Sequence, residues 1–128
     1  MTDLEGRSID LAQYKGKTLF LNFWATWCKP CLREIPSIQQ AQQILQNEPV
    51  AFLFASDETL EQIKEFKSDG NDAFNYVRVE NAAELNIMSL PTTFIYNPAG
   101  KLIYSEMGFR KWDEQKQIDL IRTITTSK

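Results

Sequence analysis

Two cysteines, Cys28 and Cys31, are the only thiols in the 128-residue chain, and they stand two residues apart in Trp27-Cys28-Lys29-Pro30-Cys31. Thiols at that spacing can open and close a disulfide between themselves, so the chemistry they suggest is thiol-disulfide exchange. Other uses of the pair fit less well. A structural zinc site takes four ligands from Cys and His, and the chain has two Cys and no His. A disulfide kept only for stability would close a very short loop and constrain the unfolded chain little. Copper or another soft metal on two thiolates lacks a supporting His or methionine cluster.

The elements around the pair position it. Thr18-Leu19-Phe20-Leu21-Asn22-Phe23-Trp24 is apolar almost throughout, as in a strand buried on both faces. After Cys31, the residues Leu32, Ile35, Ile38, Ala41 and Leu45 recur at steps of three or four, which predicts an amphipathic helix to about Asn47. The cysteines therefore fall at a helix N-terminus. Unpaired N–H groups and the positive end of the macrodipole favour negative charge there, and the thiolate is the nucleophile. Cys28, nearest the helix end, is the expected exposed, attacking sulfur, and Cys31 the more buried resolving one. Pro30 suits the first helical turn. Lys29 sets a positive charge beside the pair, or is simply solvated.

A second signal is Ser89-Leu90-Pro91-Thr92-Thr93-Phe94-Ile95-Tyr96. Thr92 to Tyr96 has strand composition, with Pro91 at its entry. Val50 to Ala55 reads as another buried strand. Leu60, Ile63 and Phe66 mark a helix that stops at Gly70, and Asn75 to Val79 a short strand. A brief helix runs through Ala82, Ala83 and Leu85. Asn97-Pro98-Ala99-Gly100 turns a hairpin into a strand from Lys101 to Met107. Trp112 opens a terminal helix with Ile118, Ile121 and Ile124 inward. This order predicts one α/β domain over 1–128, a mixed sheet covered on both faces. A net charge of −3 gives no footprint for nucleic acid. No apolar run approaches the roughly 20 residues that span a bilayer, and Met1-Thr2-Asp3 does not begin a signal peptide.

Taken together, these residues resemble the thioredoxin superfamily, and within it the TlpA/ResA-like thiol-disulfide oxidoreductases that face the outside of the bacterial cytoplasmic membrane. The resemblance covers nearly the whole chain. It rests on Asn22-Phe23-Trp24-Ala25-Thr26-Trp27-Cys28 with Pro30-Cys31, on Glu34 and Pro36 after the second cysteine, and on Leu90-Pro91-Thr92. Asp3 to Leu11 with Tyr14-Lys15-Gly16-Lys17 is similar to that group's N-terminal hairpin and Gly-Lys turn. The resemblance implies a thioredoxin-like fold: a central mixed sheet flanked by helices on both faces, with an N-terminal β-hairpin extension. It also implies a cis peptide bond at Pro91, beside a Cys28-Cys31 disulfide. Trp27, Lys29, Pro30, Leu90 and Pro91 would meet substrate, with Gly108 and Phe109 completing an apolar surface; Phe23 and Trp24 belong to the core.

One departure bears on mechanism. Thioredoxins proper carry a buried aspartate that serves the resolving thiol, where this chain has Asn22. Related TlpA/ResA-like proteins place a glutamate after the next strand, and Glu58 stands at a similar position. Buried near the disulfide, it would exchange a proton with a cysteine; at the start of a helix, it would complement the dipole. Glu34 reads as structural.

The implied activity is disulfide exchange with exported proteins, in the reducing direction suggested by Lys29 and Pro30, for example in cytochrome c maturation. No cofactor beyond the disulfide is implied. The implied partners are protein thiols and disulfides and a membrane thiol electron donor, with the chain itself a monomer. The implied place is extracytoplasmic, periplasmic or membrane-anchored, with an N-terminal targeting segment absent from this chain; a cytoplasmic protein is the alternative. Two alternative functions remain: a thiol oxidase or isomerase, and a peptide-binding, chaperone-like module with regulatory cysteines.

Overall fold

A computed structural model describes residues 1–70, 74–80, 82–85 and 87–126. The strands are β1 (Thr18–Phe23), β2 (Val50–Ser56), β3 (Asn75–Arg78), β4 (Thr92–Tyr96) and β5 (Leu102–Met107), and the α-helices are α1 (Lys29–Ile44), α2 (Leu60–Ser68) and α3 (Gln115–Thr126). Single 3-10 turns occupy Leu11–Tyr14 and Ala82–Leu85. The strands form one sheet in the order β3-β2-β1-β4-β5. β1 pairs in parallel with β2, and β2 with β3; β1 with β4, and β4 with β5, are antiparallel.

β1 is the central strand, and all six of its residues are buried. Its side chains alternate between two cores. Phe20 and Trp24 join Phe52, Phe54 and Ile95 on one face, where α1, α2 and α3 contribute Ile35, Ile38, Ile63, Ile118 and Ile121. Leu19, Leu21 and Phe23 join Leu53, Ala55 and Val77 on the other, covered by Ile9, Leu11, Tyr14 and Ile87. The expected helices on both faces thus take an uneven form: three α-helices on one side, and two 3-10 turns on the other. Chain order accounts for this. The β1-α1-β2 and β2-α2-β3 crossovers march outward in the same direction, so a common right hand places both helices on one face. The return from β3 to β4 must then pass over the second face.

Several boundaries differ from the sequence reading. α1 ends at Ile44 with Leu45 as its C-cap, short of Asn47, because Leu45 continues the apolar stripe as a buried cap residue. α2 begins with a capping box between Thr59 and Gln62 and ends at Ser68. Trp112 does not open the terminal helix, which starts at Gln115. An N-terminal hairpin is not formed as paired strands: among the described residues Thr2 makes isolated bridges to Ser8 and Arg78. Across this turn Asp3 N–H donates to Arg7 C=O at 2.9 Å and Ile9 N–H to Met1 C=O at 2.8 Å, and the Asp3 carboxylate accepts from the N–H groups of Glu5 and Arg7 at 3.0 and 2.9 Å.

Candidate active site

β1 ends and α1 begins within six residues, which brings the cysteines to the carboxyl end of the sheet, at the centre of the fold. Cys28 is the N-cap of α1, and Pro30 lies in the first turn. An N-cap side chain accepts from a first-turn N–H, and here the Cys28 sulfur accepts from Cys31 N–H at 3.3 Å. The two cysteines form a disulfide with Cα atoms 5.3 Å apart. Cys28 is 4% and Cys31 1% exposed. The two are buried alike, so the exposed sulfur expected at Cys28 is not seen: both cysteines belong to the core cluster under α1.

The remaining sequence candidates fall into two groups. Trp27 is 73% exposed, Lys29 is exposed and Pro30 half-buried. On the strand side, the Leu90-Pro91 peptide bond is cis; Leu90 is half-buried and Pro91 buried. The Thr92 hydroxyl donates to Ser89 C=O at 2.7 Å, and Pro91 C=O accepts from Gly108 N–H at 2.8 Å. Gly108 has φ of 99°, the left-handed region where a side chain is disfavoured. A groove of about 280 Å3 brings Trp27 and Leu90 together with Trp24, Asp57 and Met88. Phe109 is exposed, whereas Phe23 and Trp24 are core residues.

Glu58 is 9% exposed. Its carboxylate accepts from Thr26 N–H at 2.9 Å, from the Thr26 hydroxyl at 2.6 Å and from the Ser56 hydroxyl at 2.8 Å. It therefore braces the loop two residues ahead of Cys28. The N-cap of α2 is the next residue, Thr59, so Glu58 does not cap the helix.

Glu34 is the residue to which sequence reasoning gave too little weight. It is 0% exposed and sits one turn beyond Cys31 on the same helix face. Its Oε1 accepts from Asn22 Nδ2 at 3.0 Å, and its Oε2 from Arg110 N–H at 2.9 Å and from Trp112 Nε1 at 3.0 Å. Asn22 Nδ2 also donates to Thr93 Oγ1 at 3.1 Å. One carboxyl thus ties α1 to β1 and to the segment before α3, and Asn22 carries the connection on to β4. Burial pushes it above the ordinary glutamate value, against the pull of hydrogen bonds from Arg110, Asn22 and Trp112. Asn22 explains why an aspartate would not suit this site: it would set carboxylate against carboxylate. Its neutral amide donates instead.

Comparison with known proteins agrees with this geometry. The profile of the AhpC/TSA family matches residues 1–105. The thiol-disulfide oxidoreductase ResA of Bacillus thuringiensis subsp. konkukian is 35% identical over an alignment of 113 positions, covering 84% of this chain and 65% of that protein. ResA of Geobacillus kaustophilus is 36% identical over an alignment of 129 positions, covering 95% of this chain and 73% of that protein. Among solved structures, a thiol:disulfide interchange protein of the thioredoxin family from Chlorobium tepidum superposes with a TM-score of 0.76 at 23% identity, over 94% of this chain and 90% of that one. That likeness establishes the thioredoxin-like fold.

Proposed function

This chain belongs to the AhpC/TSA family, alongside the ResA proteins, and from that membership we propose that it is a thiol-disulfide oxidoreductase acting on protein substrates. The observation that carries the reading is the Cys28-Cys31 pair capping α1. In the reduced protein the Cys28 thiolate attacks one sulfur of a substrate disulfide, and that S–S bond breaks as the Cys28-substrate bond forms. The first substrate sulfur leaves as a thiolate and is protonated from solvent. Cys31, as its thiolate, then attacks Cys28, closing the Cys28-Cys31 disulfide and releasing the second substrate thiolate. Two electrons have passed to the substrate, and an external dithiol must return them.

Each neighbouring group has a part in this scheme. Cys31 N–H and the helix N-terminus stabilise negative sulfur at Cys28. Glu58 fixes the loop that presents Cys28. Its further use as a proton carrier is separable, because Glu58→Gln keeps the shape and removes the titrating group. Trp27, Leu90 and Pro91, with Lys29 and Pro30, form the surface that substrate meets. No described helix is long and apolar enough to cross a membrane. Kinship with ResA supports an extracytoplasmic place; a reducing direction, as in cytochrome c maturation, and a membrane thiol donor are part of the proposal and rest on the sequence resemblance alone.

Direction is tested by equilibrating the protein in defined dithiol buffers and following tryptophan fluorescence. A potential of about −270 mV or lower marks a reductant, and one near about −120 mV an oxidant.

A further inference from the structure

At the end of β1 opposite the cysteines, two turns meet over the second face of the sheet. Gly16 N–H, in the turn before β1, donates to Pro98 C=O, in the turn between β4 and β5, at 2.8 Å. Beside this contact lies a cavity of about 210 Å3, smaller than the roughly 300–1,000 Å3 of drug-sized ligand sites. Leu11 and Leu19 give it apolar walls, with the half-buried Tyr14 and Tyr96.

Asn97, which also lines the cavity, is 3% exposed. Its Oδ1 accepts from Ala99 N–H at 3.1 Å and from Lys101 N–H at 2.9 Å. Two donors at the oxygen settle which end of the amide is which, and the nitrogen is left donating to no described group. Nor is that nitrogen sealed inside the protein, as the unpartnered Trp24 Nε1 is. A buried donor without an acceptor is costly, and the cavity is where an acceptor can reach it.

The charge of the lining has one sign. It comes from Lys15 and Lys17, with no carboxylate and neither chain terminus among the lining residues. Burial raises the phenols of Tyr14 and Tyr96 above their ordinary value, so both are neutral at pH 7. Neither lysine forms an ion pair with a described residue. The Lys15 side chain lies along Gly100, where a Cβ would stand 3.3 Å from Lys15 Cε. Gly100 has φ of 86°, so glycine both makes the turn and leaves the lysine its place.

An unpartnered amide donor and two unpaired ammonium groups beside apolar walls select an anion with an apolar body. We propose that this cavity binds a small organic carboxylate of about the size of benzoate. The carboxylate would accept from Asn97 Nδ2 and face Lys15 and Lys17, and the apolar body would lie between Tyr14 and Tyr96. This site is remote from the disulfide, so the exchange reading does not depend on it.

The test is an amide NMR titration of the full chain with benzoate, with benzamide as a neutral analogue and inorganic phosphate as an anion lacking the apolar body. Benzoate should give saturable shifts at the Asn97 side-chain amide and at the N–H groups of Gly16 and Gly100. Benzamide and phosphate should each bind about tenfold more weakly. Asn97→Asp keeps the oxygen that serves Ala99 and Lys101 and replaces the free donor by a carboxylate oxygen. Lys15→Gln/Lys17→Gln changes two exposed side chains and removes the charge. Each variant should weaken benzoate about tenfold. Absence of saturable shifts at these groups, equal affinity for benzamide or for phosphate, or undiminished affinity in the lysine variant would overturn the proposal. Should Asn97→Asp not fold, the lysine variant and the two comparison ligands decide by themselves.

Discussion

Glu34 and Glu58 are both buried, and the carboxylate of each accepts three hydrogen bonds, yet they hold different things together. The partners of Glu58 are Thr26 and Ser56, within a local frame where β1 and β2 end. Those of Glu34 lie on β1 and on the segment before α3, up to 78 positions away. One glutamate fixes a loop, and the other fixes how α1, β1 and the segment before α3 meet. Carboxylates so alike in sequence are separated by what donates to them, and the difference predicts how each fails.

Removing Glu34 should have the largest effect. Glu34→Ala removes the acceptor of Trp112 Nε1 and Arg110 N–H and one of the two acceptors of Asn22 Nδ2, and should cost about 3–5 kcal/mol in urea unfolding. Next comes Asn22→Asp, which sets a second carboxyl against Glu34 and should cost about 3 kcal/mol near neutral pH. Part of that loss should return in acid, where the pair can hold protons. A pH-independent loss would show that the amide matters for its shape alone.

Glu58→Ala should cost about 2 kcal/mol and slow substrate reduction by loosening Thr26. If Glu58→Gln restores the stability but not the rate, Glu58 moves a proton as well as bracing the loop; if it restores both, bracing is sufficient. The smallest effect concerns pH. The carboxyl of Glu34 is raised from the ordinary value of 4.5, so the native state holds its proton to higher pH than the unfolded chain does. Its favourable contribution is fully present below 4.5 and is lost as pH rises through the raised native value. Glu34→Gln should flatten that part of the stability profile, measured as urea midpoints from about pH 4 to about pH 8.

What was legible in the sequence follows the range of the interactions. β1 and the start of α1 could be read because the apolar run and the helical stripe are local patterns meeting at Cys28. Cis-Pro91 was legible only through kinship, since the local physics of an X-Pro bond favours trans. Trp112 falls near the periodic stripe of α3, but its indole is committed to Glu34, a contact that no window of sequence reports. Glu34 did leave a trace. It lies three residues after Cys31 and four before Ile38, on the buried face of α1, where a charged residue needs a partner. At the N-terminus the expected hairpin reduces to a single antiparallel bridge, Thr2 to Ser8, with the Asp3 carboxylate taking the N–H groups of Glu5 and Arg7 in the turn.

The central claim is that Cys28 attacks and Cys31 resolves. The most direct measurement is intact mass under non-reducing conditions after mixing Cys28→Ser and Cys31→Ser, separately, with a peptide disulfide. Cys31→Ser should accumulate a stable adduct on Cys28, and Cys28→Ser should form none. An adduct on Cys31 in Cys28→Ser, or none on Cys31→Ser while Cys28 still reacts with an alkylating agent, would contradict the mechanism.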